Sequence, residues 1–355
     1  MSLFDRVAAL PIAIDRYELV AADRVFPNGF ERPSTAIRLF GDGLEGTGED
    51  VVYDTLDHLA HRDAGPIHNL SGPATLGELC ELIGSLELFP TPPERDFSRL
   101  YRRWGFESAA LDLALKQAGR PLTTAIGRQL SPLSFVCSVR LSPVEDGDIA
   151  RALAPLTRRR ELYPTLRFKL DPQTDWSDPL IAELVESGAV DSLDMKGWYK
   201  GTVVDVETDP PLYARLLEAF PDAWIEDPDV NDETRPILEP HRDRITWDAP
   251  IHSIADIESR PWKPKIVNVK PSRIGGLADL FATYEYCERE EIGAYGGGQT
   301  ELGVGRDHIQ YLAALMHPDT PNDVAPREYN ETEVPAGLRS SPLLLEPAAT
   351  GFGLA

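Results

Sequence analysis

The chain has 355 residues, a hydrophobic content of 42 % and a formal net charge of -23. This length predicts two domains, and the composition is typical of a water-soluble globular protein with enough apolar residues for a core. The acidic surface repels phosphate backbones and anionic lipids, so nucleic acids and membranes are excluded as expected partners.

The cysteines and the first residues predict a cytoplasmic location. Cys80, Cys137 and Cys287 lie far apart, without a CxxC motif or a His/Cys cluster, which fits a reducing compartment. Residues 1–5 lack the basic region that opens a secretory signal. No apolar run approaches the roughly 20 residues that a membrane helix needs.

The pattern of the first 122 residues predicts an α+β domain. Residues 12–20 and 35–40 alternate between apolar and polar side chains, as antiparallel strands do. A glycine-rich turn is expected at residues 41–48, followed by helical stretches. His58, His61 and His68 fall in this domain, where we expect surface positions.

Residues 123–334 repeat one pattern, in which a short apolar strand is followed by an amphipathic helix. The strand starts are separated by roughly 20 to 30 residues, the size of one βα unit. The predicted strands are residues 135–141, 166–170, 192–196, 223–227, 244–248, 266–270 and 291–296, with a faint eighth at 322–326. The clearest helices are residues 180–187, 212–220 and 277–290.

Charged residues end five successive predicted strands, and this decides between a barrel and an open sheet. They are Lys169, Asp194, Glu226, Asp248 and Lys270. An open sheet gathers ligands at one switch point, whereas a closed barrel brings the carboxyl ends of all its strands to one mouth. The sequence therefore predicts a parallel barrel. Residues 335–355 have no helix to pair with a further strand, so we expect this tail to return to the N-terminal domain.

The charged strand ends predict a particular chemistry. Three carboxylates on neighbouring strands, Asp194, Glu226 and Asp248, suit Mg²⁺. The two lysines, Lys169 and Lys270, flank this set and would lie on opposite sides of the metal. A desolvated lysine near Mg²⁺ should have a lowered pKa and can act as a base near neutral pH. This arrangement suits removal of a proton next to a substrate carboxylate.

Five segments carry a family resemblance. Residues 224–228 read Trp-Ile-Glu-Asp-Pro, residues 269–276 read Val-Lys-Pro-Ser-Arg-Ile-Gly-Gly, and residues 295–303 form a glycine-rich strand end. Arg167-Phe168-Lys169 lies where a Lys-x-Lys motif is expected, and Gly48-Glu49-Asp50 is similar to a glycine-glutamate motif of an N-terminal domain. With these motifs the chain resembles the enolase superfamily, and within it the muconate cycloisomerase-like group.

The resemblance implies an architecture and a set of partners. The expected fold is a modified TIM barrel, (β/α)7β, at residues 123–334, with an N-terminal α+β capping domain at residues 1–122 that the tail 335–355 joins. Cap loops near residues 24–31 and 50–60 would close over the barrel and help set specificity. The implied cofactor is Mg²⁺, the implied ligand is a small-molecule carboxylate, and the implied assembly is a homo-oligomer.

Further residues are candidates for binding the substrate: Arg167, Lys196, Arg273, Gln299, Glu301 and Asp323. After the aspartate that corresponds to Asp194, the group has a small residue and then Asn, whereas this chain has Met195 and then Lys196. It would contact a distal anion of the substrate or form an ion pair with Glu226 or Asp194. For Arg273, Glu301 and Asp323 the alternative is a structural ion pair or hydrogen bond.

Three functions are consistent with this sequence. The first is an isomerase, either a racemase or epimerase or a cycloisomerase, that works through an enolate. The second is a lyase, such as an acid-sugar dehydratase or an enzyme similar to o-succinylbenzoate synthase. The third is a catalytically silent barrel that binds a metabolite, but the sequence lacks none of the predicted ligands or lysines.

Overall fold

A computed structural model of the protein describes residues 1–26, 29, 31–202 and 204–355. Of the cap loop predicted near residues 24–31, positions 27, 28 and 30 lie outside the described residues.

The N-terminal part forms an antiparallel sheet with helices packed on it. In chain order its elements are α1 (Asp5–Ala8), β1 (Pro11–Ile14), β2 (Arg16–Ala21), β3 (Arg24–Val25), β4 (Glu31–Arg32), β5 (Thr35–Gly41), β6 (Leu44–Asp50), α2 (Thr55–Ala64), β7 (Gly72–Thr75), α3 (Leu76–Ser85), α4 (Ser98–Gln117) and α5 (Leu122–Ile126). Strands β2, β5 and β6 lie side by side in that order, while β1 pairs with β7 and β3 with β4.

The glycine-rich segment 41–48 is a β-hairpin rather than a long turn, so that prediction was wrong. Its turn consists of Asp42 and Gly43, with φ of 54° and 74°, the left-handed pair that tight hairpins use. Gly46 and Gly48 belong to β6 and face α4. They leave room for the helix instead of bending the chain.

The second part is a parallel barrel surrounded by helices. Its elements are β8 (Cys137–Val139), α6 (Ile149–Leu162), β9 (Phe168–Leu170), α7 (Asp178–Ser187), β10 (Val190–Asp194), α8 (Pro210–Ala219), β11 (Trp224–Glu226), α9 (Arg235–Leu238), β12 (Ile245–Thr246), α10 (Ile254–Glu258), β13 (Ile266–Asn268), α11 (Pro271–Ile274), α12 (Leu277–Arg289), β14 (Gly293–Tyr295) and α13 (Val304–Met316). Short 3-10 helices cover Glu239–Arg244 and Arg327–Asn330.

Strand pairing closes the barrel. Strands β8 to β12 form one parallel sheet in chain order, and β13 pairs in parallel with β14. The amide of Asn268 donates to the carbonyl of Trp247 at 3.0 Å and so joins β13 to β12. The faint eighth strand is reduced to two parallel bridges, Asn322 to Phe135 and Asp323 to Gly297, which close the ring. The predicted barrel with an N-terminal α+β domain is confirmed.

The seven clear barrel strands agree with those of the structure except in length and, for one of them, position, whereas the strand predicted at residues 12–20 is divided into β1 and β2. The strand predicted at residues 192–196 is Val190–Asp194, so Asp194 ends it and Lys196 lies beyond it. Barrel strands buried on both faces carry no alternation to mark their ends, which is why this boundary moved.

The C-terminal tail contacts both parts of the chain. Leu343 exchanges backbone hydrogen bonds with Leu133, and the amide of Phe352 donates to Asp112 Oδ1 on α4 at 2.8 Å. The domain boundary at residue 122 and the assignment of the tail to the cap stay predictions. Within the described residues, every helix is too short or too polar to cross a membrane.

Candidate active site at the carboxyl ends of the barrel strands

Three buried carboxylates lie together at the ends of β10 and β11. Asp194 pairs with Glu226 in the register of these two strands, and Asp227 follows directly. Oxygen atoms of the three side chains lie within 4.8 Å of one another. Hard divalent cations such as Mg²⁺ prefer oxygen ligands of this kind.

The electrostatics of this group also fit a divalent cation. Burial, together with the charges of Asp248 and Asp194, raises the pKa of Asp227 to about 7. Burial likewise raises the pKa of Glu226 well above its usual value, and the neighbouring Asp194 adds to this effect although Lys169 opposes it. Buried carboxylates that repel one another are stabilised by a cation between them. The residues present therefore fit Mg²⁺.

Lys169 reaches this group from β9. Its Nζ forms an ion pair with Glu226 and lies 3.2 Å from Asp194 Oδ2 and 3.4 Å from Asp323 Oδ2. Burial alone would lower the pKa of Lys169, but these three carboxylates, together with Asp248, outweigh burial and hold the pKa well above its usual value. The lowered pKa expected from the sequence would require a cation that offsets these charges.

Lys270 approaches from the other side. It follows β13, and its Nζ lies 2.8 Å from Asp248 Oδ2. Arg273 Nη1 lies 2.7 Å from the other oxygen, Asp248 Oδ1. Because β10, β11 and β12 separate β9 from β13 in the barrel, the two lysines flank the carboxylates from opposite ends of the set.

Lys196 forms the ion pair that was one of its two predicted alternatives. Its Nζ lies 2.5 Å from Asp194 Oδ2 and 3.4 Å from Asp171 Oδ1. The backbone of Lys196 has a φ of 56°, a left-handed conformation that costs a non-glycine residue about 1 kcal/mol or more. Lys196 is thus a further, partly buried cation at these carboxylates, and it adopts an unfavourable backbone conformation there.

Arg167 is not brought into this group. Its guanidinium pairs with Asp191 and the carbonyl of Gly188, and its side chain is 43 % exposed. The residue precedes β9 by one position, and it lines a groove with Phe135 and Trp224 at the amino ends of the strands. Two residues of strand span roughly 6.6 Å, which is enough to separate its side chain from that of Lys169.

The remaining candidates divide into two sets. Asp323 belongs to the carboxylate group through Lys169. Gln299 and Glu301 follow β14 and face the cap: the Gln299 side chain contacts the hydroxyls of Tyr53 and Tyr101. Glu301 Oε1 accepts the amide of Gln299 at 2.7 Å. Gln299 therefore links the barrel mouth to the N-terminal domain, and Glu301 supports the backbone of Gln299.

Sequence reasoning missed several residues of this site. Asp171 follows Lys169 by two positions, so strand alternation would have indicated it. Tyr295 ends β14 and donates its hydroxyl to Glu226 Oε2 at 2.6 Å. Tyr199 lies in the loop after β10, with its hydroxyl 3.4 Å from Asp248 Oδ2. In the sequence, Asp227 was noted only as part of the motif around Glu226. Neighbouring side chains on a strand point to opposite faces, so strand alternation predicts that Asp227 points away from the site.

An α+β domain on a parallel barrel, with carboxylates and lysines at successive strand ends, is the arrangement of the enolase superfamily, the class of protein that this chain resembles. The chain itself belongs to the family described as "Domain of unknown function (DUF8230)". The N-terminal domain of that family matches residues 5–125 and its C-terminal domain matches residues 129–331.

Two characterised relatives match most of the chain. N-succinylamino acid racemase of Thermus thermophilus is 27 % identical over 350 residues, covering 91 % of this chain and 87 % of the relative. The o-succinylbenzoate synthase of Geobacillus stearothermophilus is 27 % identical over 335 residues, covering 88 % of this chain and 83 % of the relative.

Solved structures share the fold. A dipeptide epimerase from Methylococcus capsulatus, complexed with Mg ion, superposes with a TM-score of 0.64 at 21 % identity, over 88 % of this chain and 89 % of that one. Muconate lactonizing enzyme from Pseudomonas putida gives a TM-score of 0.64 at 19 % identity, over 97 % of both chains. The predicted resemblance to the muconate cycloisomerase-like group is confirmed.

Proposed function

We propose that this protein is a Mg²⁺-dependent isomerase that moves the proton next to a substrate carboxylate, as a racemase or epimerase or as a cycloisomerase. The observation that carries the proposal is the placement of Lys169 and Lys270. Lys169 contacts the buried carboxylate of Glu226 from β9, and Lys270 contacts that of Asp248 from the end of β13, with three strands between the two lysines.

Asp194, Glu226 and Asp248 are the residues proposed to hold the metal. Asp227 lies as close to the first two as a ligand would, but both of its oxygens already accept backbone amides, those of Asp248 and Ala249, at 2.8 Å each. The oxygens of Asp248 are engaged mainly by the side chains of Lys270 and Arg273, which can move when a divalent cation arrives. When bound, Mg²⁺ supplies the positive charge that stabilises the enolate of the substrate.

The two lysines are proposed to act as the acid/base pair. A neutral lysine amine on one face of the α-carbon removes the proton, and the ammonium on the other face returns one. Return on the opposite face inverts the centre, as in a racemase. Lys196 and Arg273 are the cations proposed to orient anionic groups of the substrate, and Tyr53, Gln299 and Glu301 line the side toward the cap.

A lyase is the second candidate function. One relative is named o-succinylbenzoate synthase and the other N-succinylamino acid racemase, so both outcomes of the same proton removal occur among similar chains. Their names also direct the choice of substrates toward succinylated compounds. We propose N-succinylamino acids as the first compounds to test. A homo-oligomeric assembly and a cytoplasmic location stay predictions.

The test is α-hydrogen exchange in D₂O with Mg²⁺. The panel contains both enantiomers of several N-succinylamino acids, with sugar acids and dipeptides as further classes, and deuterium is read by mass spectrometry. For a racemase, Lys169→Ala should stop exchange of one enantiomer and Lys270→Ala that of the other, each by at least roughly 100-fold. Lys200→Ala is the matched control, because Lys200 is half exposed and contacts Asp229 and Thr208 instead.

The possible outcomes separate the candidates. Loss of exchange with one lysine variant only, together with release of water from a suitable substrate, would favour the lyase. Exchange that survives both lysine variants would refute the acid/base assignment. The absence of exchange with the wild-type protein across the whole panel would favour the silent barrel.

A further inference from the structure

Glu49 places a buried carboxylate of the N-terminal domain against the barrel. The residue lies near the end of β6 and is 1 % exposed. Its Oε1 accepts the amide of Leu302 at 2.7 Å and the hydroxyl of Ser34 at 2.6 Å. Its Oε2 accepts the amides of Gly303 and Gly305 at 2.9 Å each. Four donors therefore converge on this one carboxylate.

The three amides belong to the segment that opens α13. The first amides of a helix have no partner within the helix, and the helix dipole favours a negative charge there. In the part of the chain that the structure describes, no lysine, arginine or histidine forms an ion pair with Glu49. The backbone amides and Ser34 thus satisfy its charge, so the contact depends on this segment holding its conformation.

Glycine makes this close approach possible. A Cβ atom at Gly305 would lie 2.8 Å from Glu49 Oε2 and 2.9 Å from Cγ of Glu301. Real Cβ atoms do not approach other atoms so closely, and both contacts are side chains already held by other hydrogen bonds. Residues 299–305 are therefore shaped to receive a carboxylate from the other domain.

The same segment forms part of the barrel mouth. It carries Gln299 and Glu301, and it follows Gly297, where a Cβ atom would lie 2.6 Å from Cε of Lys270. Its opposite end is also held by the N-terminal domain, because Arg32 Nη2 donates to the carbonyl of Gln299 at 2.8 Å. Glu49 on the amides at one end and Arg32 on the carbonyl at the other end thus hold residues 299–305 in place.

We propose that Glu49 is a positioning residue, which orders residues 299–305 beside Lys270 by capping the start of α13 from the N-terminal domain. Its effect on catalysis rests on the proposed function. Its effect on the order of the segment does not, so the two can be tested separately.

The experiment is hydrogen–deuterium exchange of the metal-free full chain, read on peptides that span residues 299–306. Glu49→Gln keeps the size of the side chain but turns an amide donor toward the backbone amides, so these amides should exchange at least roughly tenfold faster. Glu49→Ala should give a larger effect. Glu45→Gln is the matched control from the same strand, since Glu45 contacts Arg38 and Thr47 instead. Should Glu49→Ala fail to fold, Glu49→Gln still answers the question.

The second readout uses the α-proton exchange of the proposed function. For Glu49→Gln we expect a kcat lower by at least roughly tenfold, an unchanged Kd for Mg²⁺, and a normal kcat for Glu45→Gln. Wild-type protection of residues 299–306 in Glu49→Gln would overturn the proposal, whatever the activity. Faster amide exchange with an unchanged kcat would also overturn it, because Glu49 would then be only structural. A wild-type protein without turnover would refute the proposed function, and the amide exchange would still decide whether Glu49 orders the segment.

Discussion

At the scale of single residues, the site contains more carboxylates than one metal ion needs, and hydrogen bonding assigns them different roles. Asp227 has a φ of 49° and accepts the amides of Asp248 and Ala249, so it holds the backbone where β12 ends. Asp248 instead receives Lys270 and Arg273. We infer that Asp227 shapes the site and that Asp248 is available to a metal.

This assignment predicts the metal affinities of two isosteric variants. Asp248→Asn should weaken Mg²⁺ binding by more than roughly 100-fold, since it removes a charged ligand, whereas Asp227→Asn should cost roughly tenfold or less. Isothermal titration calorimetry on chelator-treated protein measures both. Asp229→Asn, a nearby residue bonded to Thr208, is the control. The reverse order of the two affinities would make Asp227 the third ligand.

At the scale of elements, the contact between β6 and α4 fixes the face of the N-terminal domain that carries Glu49. A Cβ atom at Gly48 would lie 2.0 Å from the carbonyl oxygen of Gly105, and one at Gly46 would lie 2.4 Å from that of Ala109. These neighbours are backbone atoms of a long helix and cannot rotate away. The glycines are therefore required for packing, not for a turn.

We accordingly predict that Gly48→Ala destabilises the protein. Overpacking of this kind costs about 1–3 kcal/mol, and a clash with the backbone lies at the upper end. The free energy of unfolding in urea measures the loss. Gly353→Ala is the control, because no atom lies within 4 Å of its Cβ position and its φ is not in the left-handed region. An unchanged urea midpoint for Gly48→Ala would show that β6 and α4 can move apart without cost.

At the scale of the whole molecule, buried histidines couple stability to pH. Burial lowers the pKa of His308 to about 4, and burial also lowers that of His317 to about 4. His308 is stacked on Phe352 at 4.2 Å, and neither of its ring nitrogens has a hydrogen-bond partner within the described residues. The folded protein thus keeps these rings neutral, whereas the unfolded chain protonates them near pH 6.5.

This difference predicts a loss of stability in mild acid. Since the folded pKa is below the unfolded one, the unfolded state binds more protons between about pH 6.5 and 4, and stability falls as the pH decreases through this range. Each histidine should contribute on the order of 2 kcal/mol between pH 7 and 5. Urea unfolding at several pH values measures the slope.

A variant isolates the contribution of His308 from the titration of the carboxylates. His308→Phe retains an aromatic ring beside Phe352 and should reduce the pH dependence of the unfolding free energy by the contribution of one histidine. A slope that is identical in His308→Phe and the wild-type protein would refute the assignment.

The residue types at the site could be predicted from the sequence, because they depend on where the pattern of apolar and polar residues ends each strand. Strand and helix periods place Lys169, Asp194, Glu226, Asp248 and Lys270 at strand ends, and any closed parallel barrel brings such ends together. The partners of these residues were not predictable. Lys196 pairs with Asp194 because of a left-handed backbone, and Arg167 turns to Asp191, choices that depend on space around each side chain.

The sequence by itself determined the order of the elements, the closed barrel and the residue types at its mouth, since strand and helix periods and side-chain chemistry are local properties. Only the tertiary structure decided which residues of the N-terminal domain are buried. His58 and His61, expected at the surface, are 0 % and 1 % exposed, and Glu49 crosses to an amide 253 residues further along the chain. Burial and such distant hydrogen bonds arise when the two parts pack together. The periodicity of apolar residues along the chain does not indicate which distant segments contact each other.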